Sequence, residues 1–398
     1  MPEINLPRGF QTAGISCGIK TASQHRDLAM FVSQSPAVAC GVFTQNRVCG
    51  APVHVSRSRV PTDQCRAVVI NSGNANACTG QVGLEHAQQM TDTLADVLGC
   101  DSAQVLVCST GIIGQELPID QIRSGIPICY EALGSQPENL QHAAQAMMTT
   151  DTFHKTASRQ LEIDGCAIRV TGAAKGAAMI APNMATMLAV IMTDAGLENT
   201  TADAMLRQAV QRSFNCISVD GHTSTSDSVL LLANAAAGTT VRDADGLAEL
   251  QRAFDEVAID LAQAIVRDGE GAEHFVTIDV RGLGGFADAY RIAKTVAESP
   301  LVKTAIAGAD PNWGRIVSAI GYSGVEVEEH EITLRINQTL IYRQGAPVQY
   351  DAGLISQQMR ESRDVHIDLE FQHGTHDARF WTTDLTAEYV RLNSEYTT

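Results

Sequence analysis

The stretch Lys175-Gly176-Ala177-Ala178-Met179-Ile180-Ala181-Pro182-Asn183-Met184-Ala185-Thr186-Met187-Leu188 decides how the rest of the chain is read. It lies inside an apolar block, Ala173 to Met192, whose one charge is Lys175. The length alone would suit a transmembrane helix. Pro182 and Asn183 interrupt the block near its centre, however, and its Gly-Ala-Met texture is poor hydrocarbon-facing material, so no membrane span is expected. Leu188 to Met192 reads instead as a buried strand. The stretch therefore sets a threonine hydroxyl behind a small residue, at the mouth of an apolar strand, with Lys175 upstream.

An internal threonine is a weak nucleophile, because its hydroxyl is protonated at neutral pH and no base stands nearby in sequence. A threonine at a new chain start differs, since its own α-amine, with a pKa of about 8, can take the hydroxyl proton. The residues alone leave both readings open: a buried loop-to-strand turn, or a self-processed N-terminal nucleophile.

Outward from this block, strands and helices interleave. Arg66–Ile70 and Gln104–Cys108 are predicted strands, leading into Asn71-Ser72-Gly73-Asn74-Ala75-Asn76 and Ser109-Thr110-Gly111-Ile112-Ile113-Gly114, small polar stretches suited to presenting backbone N–H groups. Helical spacing of apolar residues marks Leu84–Leu98, Thr201–Phe214 with a Thr-Thr cap, and Asp245–Val266. Further strands are expected at His274–Val280, Glu331–Ile336 and His366–Phe371. Long linkers and short repeats are absent from the sequence, so 398 residues read as one α/β body of layered sheets and helices.

Composition narrows the function. Twenty-eight basic residues against 45 acidic give a net charge of −17, which argues against a nucleic-acid partner. The ten cysteines form no CxxC pair and read as small buried hydrophobes in a reducing cytoplasm. The amino terminus lacks the order of a signal peptide, so no export is expected. No phosphate-binding loop or dinucleotide fingerprint is present, and Gly282-Leu283-Gly284-Gly285 has the wrong spacing. His373-Gly374-Thr375-His376 reads as a polar hairpin turn rather than a metal site, and no metal is expected.

Lys175 to Leu188 resembles the self-cleavage and nucleophile motif of the ornithine acetyltransferase family, the bifunctional glutamate N-acetyltransferases of arginine biosynthesis. Other stretches match that family in order: Leu6–Phe10, Ile70–Asn76, Ser109–Gly114, Thr149-Thr150-Asp151-Thr152, Ser218-Val219-Asp220-Gly221, Arg267–Ala272, Asp310–Arg315 and Asn393–Thr398. The ordered set is specific where each piece alone is not.

The resemblance implies a fold and a chemistry. The fold is a layered α/β sandwich, stacked β-sheets covered by helices, of the self-cleaving N-terminal-threonine acyltransferase type. Cleavage between Ala185 and Thr186 would give an α chain, 1–185, and a β chain, 186–398, assembled as α2β2 or larger. Thr186 would accept the acetyl group of N-acetylornithine and pass it to glutamate, with Thr110 and Gly111 as oxyanion donors. Thr149, Lys175, Thr186, Glu270, Asn393 and Thr398 would contact substrate. By residue pattern alone Glu270 is a polar helix-terminal turn, and Asn393 and Thr398 are tail. No cofactor is implied, and use of acetyl-CoA as a second donor stays open. Ala177-Ala178, His222 and Glu273-His274 depart from the family pattern. Two rivals are an aminopeptidase or amidase on a related self-processing scaffold, and a silent amino-acid-binding paralogue.

Overall fold

The computed structural model of the protein describes residues 4–20, 25–179 and 187–395. The first half of the chain runs through β1 (Phe10–Ile15), β2 (Leu28–Phe43), α1 (Ala51–Arg59), β3 (Thr62–Asn74), α2 (Gly80–Leu98), β4 (Val105–Ile112), α3 (Ile119–Glu131) and α4 (Pro137–Met147). The hairpin β5 (Lys155–Ile163) and β6 (Cys166–Lys175) follows, then β7 (Leu188–Thr193) and α5 (Asn199–Arg212). After β8 (Ile217–Ser218) come β9 (Ser228–Ala233), α6 (Ala244–Arg267) and β10 (Phe275–Leu283). Helices α7 (Phe286–Glu298), α8 (Pro300–Ala307) and α9 (Trp313–Gly321) lead to β11 (Thr333–Ile336), β12 (Thr339–Arg343) and β13 (Ala346–Pro347). The described chain ends with α10 (Ala352–Glu361), β14 (Asp364–Glu370), β15 (His376–Thr383) and α11 (Ala387–Glu395).

The first sheet has the order β4-β3-β2-β9-β7-β6-β5, with β1 also paired to β2. It is mixed: β3/β4 and β7/β9 are parallel and the other pairs antiparallel. Strand β2 belongs to both halves of it. The register with β3 breaks between Val32 and Ala37, where Gln34, Ser35 and Pro36 are exposed, and beyond that break β2 pairs with β9. The halves close on one another around a shared core in which Phe31, Val68, Ile70 and Leu106 meet Leu188, Val190 and Leu230, with α4 packed in. Alternate residues, such as Leu28, Met30 and Val32, face α2 and α3 instead, as the period of two along a strand requires.

The second sheet has the order β13-β12-β11-β14-β10-β15-β8. Helix α6 touches both sheets, meeting β5 and β6 on one side and β8 and β15 on the other. Its stripe of Leu250, Phe254, Val257, Leu261 and Ile265 is buried, at the i, i+3, i+4 spacing of a helix that must cover a core. Gly172 on β6 permits the close approach, because a Cβ there would lie 2.8 Å from Leu261 Cδ1. The layered α/β sandwich is thus the architecture found.

Some local expectations need correction. Strands β3 and β4 run on through Asn74 and Ile112, so the polar stretches after them begin as paired strand rather than loop. Helix α5 starts at Asn199 behind Glu198 with no side-chain cap, placing Thr200 and Thr201 inside the helix. His373 lies in a connection between β14 and β15, which sit on opposite sides of β10 rather than forming a hairpin; its Nε2 lies 2.6 Å from Glu331 Oε2. All ten cysteines are free, but only Cys40, Cys65, Cys108, Cys129 and Cys216 are buried. Among the described residues no cluster of three metal-ligating side chains occurs, and no helix is long and apolar enough to cross a membrane.

Leu261→Ala is expected to lower stability by about 2–5 kcal/mol, the usual range for truncating a buried leucine, read as a lower urea midpoint.

Candidate active site

A cavity of about 280 Å3 opens between the ends of β4 and β6, the 220–227 loop, the residues after α6 and helix α11, with Met179 on its wall, slightly under the roughly 300–1,000 Å3 usual for small-molecule sites. It brings together Thr110, Gly111, Thr149, Lys175, Glu270 and Asn393, six residues that the sequence scatters over 283 positions. Ala185, Thr186 and Thr398 lie outside the described residues.

Thr110 and Gly111 stand near the end of β4, paired with Ser72 and Gly73 of β3. Gly111 has φ +134°, and a Cβ there would fall 2.4 Å from Asn74 N; only glycine fits. The two strand ends are fastened above this point. Ala75 N–H donates to Ile112 O and Gly114 N–H to Ala77 O, and Asn74 Nδ2 donates to Gln115 O and Glu116 O.

Lys175, the last residue of β6, is 2% exposed. Its Nζ donates to Thr149 Oγ1 at 2.7 Å and, more weakly, to Thr110 Oγ1 at 3.5 Å. Because the ammonium supplies these hydrogens, both hydroxyls keep their own hydrogens as donors. Behind it runs a buried chain of alternating charge. Lys175 Nζ is 3.8 Å from Asp151, Asp151 is 2.7 Å from Lys155 Nζ, and Lys155 Nζ is 2.5 Å from Asp268. Backbone amides complete the carboxylates: Gly176 and Thr149 donate to Asp151, and Thr152 donates to Asp268 through both its amide and its hydroxyl. Burial pushes Asp151 up, but Lys175, Lys155 and the Gly176 amide outweigh it and hold the carboxyl well below the usual range. Burial lowers Lys175, opposed by Asp151.

The opposite wall follows the C-terminus of α6. Glu270 N–H donates to Ala177 O, and Glu270 Oε2 accepts from Asn393 Nδ2 at 3.1 Å. Asn393 reaches it because α11 packs on Gly271, whose positive φ and missing Cβ admit the backbone of Tyr389. The tail reading of Asn393 is therefore replaced by an ordered helix on the cavity. Tyr389 hydroxyl donates to Asp220 Oδ2, which also accepts the Met179 amide at 2.7 Å. Burial pushes the Tyr389 phenol up, reinforced by Asp220.

The sequence reading did not place Asp220, His222, Ser224, Thr225, Ser226 or Tyr389 in the cavity. Asp220 lay in a matched stretch without a role, and the hydroxyl run 224–226 was the signal passed over. The departures sort by position. Ala178 and His222 line the cavity, whereas His274 pairs with Asp384 at 2.6 Å away from it. The Asp384 bond raises the His274 pKa, against burial.

Comparison with known proteins follows this geometry. The sequence profile of the ArgJ family matches residues 11–398. The arginine biosynthesis bifunctional protein ArgJ of Rhodopirellula baltica is 46% identical over 399 residues, covering 99% of this chain and 96% of that protein. That of Geobacter sulfurreducens is 42% identical over 393 residues, covering 98% and 99%. A crystal structure of ornithine acetyltransferase complexed with ornithine from Mycobacterium tuberculosis is 33% identical over 46% of this chain and 96% of its own, with a TM-score of 0.41.

Lys155→Met strands two buried carboxylates and is expected to cost about 3–5 kcal/mol of stability in urea unfolding near neutral pH. Because the folded Asp151 pKa is depressed, the stabilisation it carries is present above the unfolded value of about 3.9 and is lost as pH falls. The deficit of the variant should therefore shrink in acid.

Proposed function

The chain belongs to the ArgJ family, and on that premise we propose that it is a glutamate N-acetyltransferase of arginine biosynthesis. It moves the acetyl group of N-acetylornithine to the α-amine of glutamate, and acetyl-CoA serves as a second acetyl donor for the same acceptor. The observation that carries this reading is the convergence of Thr110, Gly111, Thr149, Lys175, Glu270 and Asn393 on one cavity that Met179, the last described residue before Ala185-Thr186, also lines.

In the proposed maturation, Thr186 Oγ attacks the Ala185 carbonyl. Its C–N bond breaks, the nitrogen takes a proton to become the Thr186 α-amine, and water hydrolyses the resulting ester. The small side chain of Ala185 offers little steric hindrance to that attack. The products are an α chain, 1–185, and a β chain, 186–398, which share the cavity and assemble as α2β2 or larger in the cytoplasm.

In the transfer, the α-amine removes the Thr186 hydroxyl proton as Oγ attacks the acetyl carbonyl of N-acetylornithine. The amide C–N bond breaks, the proton passes to ornithine, and acetyl-Thr186 remains. The glutamate amine then attacks this ester, and its surplus proton returns to Oγ as N-acetylglutamate leaves. Each half-reaction develops an oxyanion, which in this reading Thr110 and Gly111 stabilise as donors. Lys175 supports this role by donating to Thr110 Oγ1, leaving the threonine hydrogen to point at the substrate. Glu270, with Asn393 and the terminal Thr398, recognises the amino-acid end groups, the Glu270 carboxylate suiting the δ-ammonium of acetylornithine. No cofactor enters either step.

Denaturing electrophoresis of purified protein is expected to show chains of 185 and 213 residues; a single full-length band from active enzyme overturns the mechanism. Thr186→Ala should remain uncut and transfer nothing. Thr110→Ala should lose about a hundredfold or more in kcat. Acetate release without glutamate acetylation would identify an amidase instead.

A further inference from the structure

Asp227 is the residue before β9, and it is fully buried. One carboxyl oxygen, Oδ1, accepts the Met187 amide at 3.0 Å, and Ser228 N–H donates to Met187 O. Both backbone groups of Met187 are thus held from the strand alongside. Among the described residues the second oxygen, Oδ2, is buried and meets no hydrogen-bond donor in bonding geometry. Among the described residues no cation lies within ion-pair distance, since Lys175, the charged group whose field reaches Asp227, is engaged with Thr149 and Asp151. Thr44, the residue after β2, donates its amide to Asp227 O, and its hydroxyl, like that of Ser224 in the preceding loop, lies close enough to favour the carboxylate, though less than burial disfavours it. Arg57 of α1 is occupied by Thr44 O. Cys108 of β4, beside Ser228, is pushed up to about 12 by burial and stays a neutral thiol.

An ionised carboxylate with an empty oxygen and no counter-ion costs several kcal/mol to bury. The economical state is the neutral acid. Burial accordingly pushes Asp227 well above the ordinary carboxylate range. A residue so expensive as a carboxylate, set at this point, calls for a reason. The amide it accepts is the peptide link on the C-terminal side of Thr186.

We infer that Asp227 is a positioning residue for Thr186: as an uncharged acid it fixes the peptide link between residues 186 and 187 without adding a negative charge beside the nucleophile's α-amine. The inference rests on the reading of Thr186 as the nucleophile. Its physical content is electrostatic. A carboxylate near that amine would favour the ammonium and raise its pKa by about one unit or more, removing the base at neutral pH. A neutral acid gives the same hydrogen bond without that penalty.

Asp227→Asn keeps an acceptor oxygen and stays uncharged at every pH, whereas Asp227→Ala removes the acceptor. The experiment measures N-terminal sequence of the β chain, kcat and KM for acetyl transfer from N-acetylornithine to glutamate, and the pH dependence of kcat. In D227A kcat should fall about tenfold or more through misplacement, with KM nearly unchanged. D227N should restore kcat to within about threefold of the parent, with the acidic limb of its kcat profile where the parent has it. If D227N is as impaired as D227A, or if its acidic limb moves down by about one pH unit or more, Asp227 acts as a carboxylate and the inference is overturned. Should D227A fail to fold, the D227N limb decides alone. A parent enzyme without a chain beginning at Thr186 overturns the nucleophile reading and this inference with it; a parent that has one, with the shifted limb, overturns only the inference.

Discussion

Lys175 is a cation almost wholly removed from water, and the cavity is arranged around the cost of keeping it there. Desolvating one ammonium costs several kcal/mol unless good geometry and further hydrogen bonds offset it. Here the offset is a chain of four alternating charges, Lys175, Asp151, Lys155 and Asp268, whose sum is zero. Its members come from β6, the 149–152 loop, β5 and the end of α6. The electrostatics that hold the lysine therefore also register the first sheet against the helix that reaches the second.

The 180–186 segment is bracketed by a related device. Met179 before it gives its amide to Asp220, and Met187 after it gives its amide to Asp227. Both acids sit at the ends of one loop, 220–227, whose hydroxyl residues Ser224, Thr225 and Ser226 line the cavity between them. The two acids differ in surroundings. Asp220 is also bonded by the Tyr389 hydroxyl, whereas Asp227 is buried with one oxygen unpartnered among the described residues. A single loop thus bonds the described backbone on either side of the 180–186 segment.

Much of this was legible in the sequence because it is written in local pattern. The unbroken apolar run Leu188–Met192 and the helical stripe of α6 follow from burial alone, and both are found close to the expected bounds. Strand β2 was not legible: Leu28–Phe43 is interrupted by Gln34-Ser35-Pro36, which reads as a break, and only pairing with β3 and then β9 makes one strand of it. The six gathered site residues came from family motifs rather than from periodicity. The Lys155–Asp268 bridge spans 113 positions and joins a strand start to a helix end, so nothing local announces it. Asp227 hides similarly, as an acid heading an apolar strand that would by itself suggest a solvated edge.

The acidity of the chain, −17 overall, bears on the site less than it first suggests. Surface charge is screened over about 8 Å at physiological salt, so the cavity is governed by what lines it. There Lys175, the buried ammonium among the described lining residues, does not stand open as a bare charge. It donates to Thr149 and Thr110, and each hydroxyl so engaged keeps its own hydrogen to donate. Positive potential is thereby passed on as oriented O–H dipoles, which can bond an oxyanion at hydrogen-bond distance. Burial pulls the Lys175 pKa down and the Asp151 carboxylate behind it opposes that pull, favouring the ammonium form that orients both hydroxyls.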